Sequence, residues 1–478
     1  MGYQATISGS SLLEEAFSIQ PLAVALPENQ SRLKDAVNWI VQAPAAATEL
    51  GISSRDLPGL IAQAERGGAD LKAIAPQTKV FLELGSSSDV SSSLGKALGL
   101  ARGFTQKVLA RLGNTAEMWQ RHFPMASNIE QNTASSGGQL RSLPFLGQGS
   151  TDPLIANDDR GDLLALVRQR GSLSVATGGS TANIGFSAPD ASGSLQGVDT
   201  DIARALTIAI FGDATKVNFV TDLAFSSTFA AVANGVVDVA LRASTANLWR
   251  DGSFGVDFSD AYLATGLKVL SHASLGVSRI DQLNGTTIGV IEGTTAAQNL
   301  RLALSKTGES ARILSYANAT ELYNAFRTSA VDSIARDGAL LAGFQQQLSS
   351  EANPIATTLL NGQLSYEPLA AVVDENQSKF LDLVNAVIAI LQQAAALGVT
   401  STNVAQKLEE ANAANAPAAL RQLFQLNANA NLSSIGITPQ RVTDIILAIG
   451  NIDQIVQRSI VNPDQNTLAW NVQMQRPL

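Results

Sequence analysis

The sequence predicts an α/β protein preceded by a mainly helical segment, and two observations lead to this prediction. Between residues 161 and 366, short apolar runs typical of strands alternate with runs typical of helices, which favours a largely parallel sheet with helices on both faces. Outside this region the chain repeats itself: residues 20–57 align without gaps to residues 367–404, and residues 98–121 match residues 435–458. We therefore interpret residues 1–143 as a partial copy of the helical end of the chain.

The elements follow in a regular order after residues 144–160, a stretch rich in Gly, Pro, Asp and Asn that is predicted to be a linker. "GSLSVATG" (171–178) is predicted to be a strand, and "DTDIARALTIAIF" (199–211) a helix with Asp199 as its N-cap. The helix "TFAAVANG" (228–235) leads into the strand "VVDVALRA" (236–243). The strand "IGVIEG" (288–293) and the helix "AAQNLRLAL" (296–304) follow, and the copied end continues as helices.

Composition excludes several classes of function. The 478 residues are 45% hydrophobic and 15% charged, which is typical of a globular protein with two to four domains. A net charge of −9 argues against nucleic acid as a partner, because phosphate binding needs a basic face. The chain has no cysteine and only two isolated histidines, His122 and His272. Neither a metal centre nor a cofactor is therefore expected, and most hydrolase mechanisms are hard to build.

The ends and apolar stretches of the chain suggest a soluble protein. The first twenty residues lack the basic and apolar regions of a signal peptide, so the sequence shows no export route. The most apolar long stretch, residues 380–399, contains Asp382, Asn385, Gln392 and Gln393. We therefore expect it to be a buried amphipathic helix rather than a membrane span.

Three polar positions stand at the ends of predicted strands, where open α/β sheets bind ligands. Thr245 and Arg250 come first: an arginine fork matches a carboxylate, and a threonine adds a hydroxyl and an N–H group. The alternative is a surface arginine paired with Asp251 or Asp257.

The second position is the turn Gly293, Thr294 and Thr295, which offers N–H groups to an anion at the start of a helix. Its alternative is an ordinary capping box between Thr295 and Gln298. The third position is Asp337, which either accepts an ammonium group or only caps the helix that follows.

Taken in order, these motifs resemble the periplasmic amino-acid-binding proteins of ABC importers, in particular the general and polar L-amino-acid class. The resemblance extends from "LLALVRQRGSLSVATGG" through "NGVVDVALRASTANLWRDGSFGVDFS", "IEGTT" and "RDGALLA" to "EPLAAVV" and the helical tail, over residues 161–478. It implies a two-lobe periplasmic-binding-protein fold with a hinge, in which residues 161–267 and 367–478 form the first lobe and residues 275–362 the second.

The resemblance also implies roles for the residues of the three motifs. Thr245, Arg250 and the turn from Gly293 through Thr294 to Thr295 would bind the carboxylate of a free L-amino acid, and Asp337 its ammonium group. Asp199 and Asp201 belong to the family signature, but we interpret them as helix-capping residues. The implied partner is an ABC transporter permease, and the implied location is the periplasm.

Departures from the family pattern keep two alternatives open. Ser244 and Ala246 replace a Thr and a Trp, Arg336 stands where a Thr is common, and the segment 260–267 keeps only Tyr262 and Gly266 of an aromatic, Gly-rich stretch. The chain could therefore be a structural or assembly protein that kept the fold but weakened the site.

An enzyme of the arogenate- or cyclohexadienyl-dehydratase type is the other alternative, with Glu292 as its one acid–base candidate.

Residues 1–143 carry no counterpart of Arg250, Thr294 or Asp337, so they are expected not to bind ligand but to self-associate.

Overall fold

The fold is known from a computed structural model that describes residues 24–85, 94–122, 161–426 and 432–463. The chain divides into two compact units, with the described residues of 24–122 in one and those of 161–463 in the other. The predicted linker 144–160 and the segment 20–23 lie outside the described residues. The α/β class and the helical N-terminal segment are confirmed.

The N-terminal unit consists of helices in its described part. Their bounds are Ser31–Glu49, Leu57–Arg66, Gly68–Ala73, Pro76–Phe81, Leu94–Ala97, Phe104–Leu112 and Thr115–His122. Glu117 ties the last helix to the loop before the second one, since its carboxylate accepts hydrogen bonds from the Ser54 N–H at 2.9 Å and the Ser54 hydroxyl at 2.6 Å. Helix Ser31–Glu49 and helix Ser378–Ala396 of the other unit are both 19 residues long and lie at positions that the predicted repeat aligns with each other.

The described part of the second unit contains two five-stranded sheets and a small two-stranded one. The strands are β1 (Leu173–Ala176), β2 (Ala188–Pro189), β3 (Leu195–Gln196), β4 (Val217–Val220), β5 (Val239–Ala240), β6 (Val256–Thr265), β7 (Leu267–His272), β8 (Thr287–Ile291), β9 (Arg312–Tyr316), β10 (Ser333–Asp337), β11 (Thr357–Leu359) and β12 (Glu367–Asp374). The first sheet has the order β4-β1-β5-β12-β6 and the second β11-β7-β10-β8-β9.

Both large sheets are mixed, so the expectation of a largely parallel sheet is only partly correct. Pairs β1/β4, β1/β5, β8/β9 and β8/β10 are parallel, as the alternation of strands and helices predicts. Strands β6 and β12 add antiparallel pairs to the first sheet, and β7 and β11 do so in the second. Strands β6 and β7 flank the first segment that crosses between the sheets, and β11 and β12 flank the second. These strands therefore run opposite to the neighbours with which they pair.

Helices cover the sheets and extend beyond them as a C-terminal bundle. Their bounds are Leu163–Arg170, Val198–Phe211, Thr228–Ala233, Leu248–Ser253, Ala296–Thr307, Ala319–Arg327, Gly338–Ser350, Ser378–Ala396, Val404–Asn412, Ala418–Leu423, Pro439–Ile449 and Ile452–Ser459. Helix Ser378–Ala396 is long and apolar enough to cross a membrane by length and composition, but 67% of its most apolar window is buried. It packs against β6 and β12 in the main core, which agrees with the expected buried helix.

The start of helix Val198–Phe211 differs from the prediction. Its N-cap is Gly197 rather than Asp199, and no side chain caps the helix. Gly197 has φ +133°, and an added Cβ would lie 2.4 Å from the carbonyl carbon of Phe186. Close approach of Phe186 therefore decides where the helix begins, and the capping role predicted for Asp199 is wrong.

Two crossing segments join the sheets and divide this unit into two lobes. Only Gly266 separates β6 from β7, and the return segment passes through Ser365 into β12. The Leu267 N–H donates to the Ser365 hydroxyl at 3.0 Å, so the two segments touch. An added Cβ at Gly266 would lie 2.3 Å from the Ser365 carbonyl oxygen. This contact forms the hinge of the expected two-lobe fold.

Candidate functional site

A cavity of about 540 Å³ lies between the lobes, at the ends of strands from both sheets. This volume lies within the usual range for small-molecule sites. Five of the six residues predicted to bind ligand line the cavity: Thr245, Arg250, Thr294, Thr295 and Asp337. The sixth, Gly293, is not part of the lining, but its carbonyl oxygen accepts a 3.4 Å hydrogen bond from Arg250 Nη2.

Arg250 is held in place by groups of both lobes. The Asn247 side chain caps helix Leu248–Ser253 and accepts the Arg250 N–H at 3.0 Å. Arg250 Nη1 donates to the Thr245 carbonyl at 2.9 Å, and the guanidinium carbon of Arg250 lies 5.0 Å from the centre of the Phe229 ring. The side chain is 1% exposed.

One nitrogen of this buried cation has no hydrogen bond. Nε of Arg250 has no hydrogen-bond partner among the described residues. Burial lowers the Arg250 pKa to about 10, so the guanidinium remains charged at neutral pH. Within the described chain Arg250 forms no ion pair with Asp251 or Asp257, so the surface ion pair considered as an alternative is not what the structure contains.

Glu367, which was not among the residues predicted from the sequence, lines the cavity and contacts Ser365 of the return segment. Its Oε2 accepts the hydroxyl of Thr245 at 2.6 Å and that of Thr295 at 2.7 Å. Its Oε1 accepts Asn299 Nδ2 at 2.9 Å and the Ser365 hydroxyl at 2.8 Å. Residues of both lobes thus converge on one buried carboxylate. The capping box expected at Thr295 does not form, because the hydroxyl bonds Glu367 instead of the helix start.

Asp337 ends β10 at the N-cap position of helix Gly338–Ser350, yet its side chain makes no capping hydrogen bond. The alternative role as a mere helix cap is therefore not supported. Its Oδ1 is buried and has no partner among the described residues. Burial, and then the nearby Glu367 carboxylate, raise the pKa of Asp337 to about 8, while Arg336 and Arg250 oppose the rise.

The two aspartates of the family signature have different surroundings. Asp199 lines the cavity, where it accepts the Tyr262 hydroxyl at 2.6 Å and the Ala243 N–H at 3.0 Å, and burial raises its pKa to about 7. Asp201 faces away and pairs with Arg458 of the C-terminal bundle at 2.6 Å. Glu292, the one acid–base candidate from the sequence, is exposed and does not line the cavity.

Two further arginines line the cavity, one from each lobe. Arg242 follows β5 of the first lobe and donates through Nη1 to the Thr228 hydroxyl at 2.9 Å. Arg336, on β10 of the second lobe, reaches across the cleft to the Ala182 carbonyl at 3.0 Å. Sequence reasoning missed Arg242 and noted Arg336 only as a departure.

Comparison with known proteins agrees with this architecture. Residues 173–401 match the family model of the bacterial extracellular solute-binding proteins, family 3. The glutamate/glutamine/aspartate/asparagine-binding protein BztA of Rhodobacter capsulatus is 30% identical over 321 residues, which are 67% of this chain and 92% of the relative. The general L-amino acid-binding periplasmic protein AapJ of Rhizobium johnstonii is 28% identical over 286 residues, 60% of this chain and 82% of the relative.

A solved structure supports the same assignment. The ABC transporter periplasmic binding protein from Brucella ovis with glutathione bound has 27% sequence identity and a TM-score of 0.59, and the match covers 65% of this chain and 94% of that one. The two lobes, the hinge and the cavity between them have the form that such a protein requires. Both the resemblance found in the sequence and the fold it implied are confirmed, and the chain belongs to family 3 of the bacterial extracellular solute-binding proteins.

Proposed function

We propose that the protein binds a free L-amino acid in the cavity between its lobes and delivers it, in the periplasm, to the permease of an ABC transporter. The names of BztA and AapJ, which describe amino-acid-binding proteins, support the ligand class. The single observation that carries the proposal is a pair of buried atoms without hydrogen-bond partners in one cavity: Nε of the Arg250 guanidinium and Oδ1 of the Asp337 carboxyl group. Unpaired buried polar atoms are costly, and a bound zwitterion would satisfy both.

In this proposal each end of the amino acid meets the group of opposite charge. The α-carboxylate accepts hydrogen bonds from Arg250 and from the N–H groups that begin helix Ala296–Thr307, which have no partner inside the helix. The ammonium group donates to Asp337. The hydroxyls of Thr245 and Thr295 contribute indirectly, since they bind Glu367 and so fix the backbone on either side of the carboxylate.

Lobe closure follows from the same contacts. Arg250 belongs to the first lobe and Asp337 to the second, so a ligand bound to both favours the closed arrangement over an open one. Binding then removes both charged pairs from water, which strengthens them. A ligand with only one of the two groups gains less from closure.

Isothermal titration calorimetry of the full chain against the twenty amino acids tests the proposal. Arg250→Ala should weaken the best ligand by about 2–5 kcal/mol, because it leaves the carboxylate without its buried partner. Arg301→Gln, an exposed change on helix Ala296–Thr307, is the matched control and should bind normally. Unchanged affinity in a folded Arg250→Ala protein would overturn the assignment.

A second candidate is a structural or assembly protein that kept the fold and lost the ligand. One observation favours it: Arg336 already spans the cleft, where it bonds Ala182 of the first lobe and Tyr323 of the second. A thermal-shift screen separates the two candidates, because a ligand that binds only the native state must raise the melting temperature. No shift with any amino acid at millimolar concentration would favour the structural protein.

A further inference from the structure

Two arginines of the cavity are not used by the proposed amino-acid site. Arg242 comes from the first lobe and Arg336 from the second, and both line the same cavity as Arg250 and Asp337. A cavity of about 540 Å³ has the volume of about 18 water molecules at roughly 30 Å³ each. An α-amino-acid head group fills only part of this volume, so space remains in the cavity for the rest of the ligand.

Protein contacts leave donors of both arginines free. Arg242 donates through Nη1 to the Thr228 hydroxyl and, at 3.5 Å, to the Ala224 carbonyl. Arg336 donates through Nη1 to the Ala182 carbonyl and the Tyr323 hydroxyl, and through Nη2 to Asn183 Oδ1 at 3.4 Å. All these acceptors are neutral. A guanidinium has five N–H donors, and neither Nε takes part in these contacts.

The charges around the two arginines do not neutralise them through a direct ion pair. Neither Arg242 nor Arg336 forms a salt bridge within the described residues. The charge of Asp199 raises the pKa of Arg242, but the Asp199 oxygens already accept hydrogen bonds from the Tyr262 hydroxyl and the Ala243 N–H. Burial and the positive charge of Arg336 lower the pKa of Arg242 to about 10. Two like charges from opposite lobes therefore face one space, and an anion between them would relieve their repulsion.

We propose that Arg242 and Arg336 form a second anion subsite, which binds a carboxylate at the far end of the ligand. The inference rests on the proposed amino-acid function and makes it narrower: the ligand is an α-amino acid whose side chain ends in a carboxylate. Glutamate and γ-glutamyl peptides share this chemistry and differ in the distance between the head group and the distal carboxylate. The positive charges of Arg242 and Arg336 disfavour a cationic side chain at this subsite.

Calorimetry with a matched pair of ligands tests the subsite. L-glutamate and L-glutamine have the same number of non-hydrogen atoms and differ in the charge of the side chain. The full chain should bind glutamate at least about tenfold more tightly, which is the effect of one hydrogen bond to a charged group. Arg242→Gln should remove this preference and change the affinity for glutamine less than about threefold. Arg242→Lys should retain part of the preference, and Arg301→Gln all of it.

The outcomes separate the subsite from the function on which it rests. If glutamine binds the unmodified protein as tightly as glutamate, or Arg242→Gln weakens both ligands equally, the subsite is wrong although the amino-acid function stands. If no α-amino acid binds, both are wrong. γ-Glutamylglycine identifies the source of the carboxylate: tighter binding than glutamate, lost in Arg242→Gln, supports a peptide ligand of the same subsite.

Discussion

Replacing Asp337 by Asn tests the centre of the proposed site, because it removes the charge and keeps the shape. Truncating one partner of a buried charge pair costs about 2–5 kcal/mol of binding free energy. Asp337 has a pKa raised to about 8, so it must first lose a proton at pH 7. That ionisation consumes about 1.4 kcal/mol of the gain. The expected net loss at pH 7 is therefore about 0.6–3.6 kcal/mol, or roughly 3- to 400-fold in affinity.

The same reasoning fixes the sign of the pH dependence. Below pH 8 the free protein holds a proton on Asp337 that an ammonium ligand displaces, so affinity should rise about tenfold between pH 6 and pH 7 and level off above pH 8. Asp337→Asn should lack this rise. Asp199, whose pKa is raised to about 7, titrates in the same range but is present in both proteins, so the difference between them isolates Asp337.

Stability should move in the opposite direction. Because the Asp337 pKa is raised in the folded state, the native protein binds more protons than the unfolded chain between pH 4 and pH 8, and its stability falls as the pH rises through that window. Asn has no such cost, so the variant should melt at the same temperature as the parent, or higher, at pH 8. Titration calorimetry at pH 6, 7 and 8 measures the affinity, and thermal melts at the same pH values measure the stability. A variant that binds normally but melts at a lower temperature would show that Asp337 stabilises the fold and does not bind ligand.

Three further changes probe the rest of the architecture. Glu367→Gln replaces one of two carboxylate oxygens, each of which accepts two hydrogen bonds, by an NH2 donor. It should therefore lower the melting temperature and raise the radius of gyration of the unliganded protein in small-angle X-ray scattering; an unchanged radius would contradict a role in holding the lobes together. Gly266→Ala places a Cβ 2.3 Å from the Ser365 carbonyl oxygen and should cost about 1–3 kcal/mol of unfolding free energy, measured by urea denaturation; a silent change would show that the hinge segments separate easily. Deleting residues 1–143 should leave the affinity for the amino acid within about tenfold, or roughly 1.4 kcal/mol. The isolated segment should be helical by circular dichroism and should self-associate in sedimentation experiments. A shortened chain that no longer binds the amino acid would show that the segment takes part in binding.

The sequence identified the charged residues at strand ends because their chemistry is local. Arg250 and Asp337 could be selected from residue type and from their place after a strand, without knowledge of the rest of the fold. Helix Ser378–Ala396 was also predictable, since a few polar residues in an apolar run distinguish a core helix from a membrane span. At these positions the local sequence pattern and the chemistry of the residues indicated the same placement that the structure shows.

Residues whose role depends on distant partners were missed. Glu367 opens "EPLAAVV", which looks like the start of an ordinary strand, and its partners Thr245 and Thr295 lie 122 and 72 residues earlier in the chain. Asp199 has the spacing of an N-cap, but contact with Phe186 moves the cap to Gly197. The direction of the crossing strands is likewise set by the return of the chain between the sheets, which no local pattern encodes.

The Glu367 carboxylate has a consequence for the speed of exchange. It lies on β12 of the first lobe, and it accepts hydrogen bonds from Thr295 and Asn299 of the second lobe at 2.7 and 2.9 Å. These contacts involve no ligand atom, so they favour closed lobes in the empty protein as well as in the filled one. When part of the empty protein is already closed, binding requires less free energy for lobe closure, and the equilibrium affinity for the ligand rises. The same bonds must break before a captured molecule can leave, so residence times lengthen, while a newly arriving molecule must wait for the lobes to part.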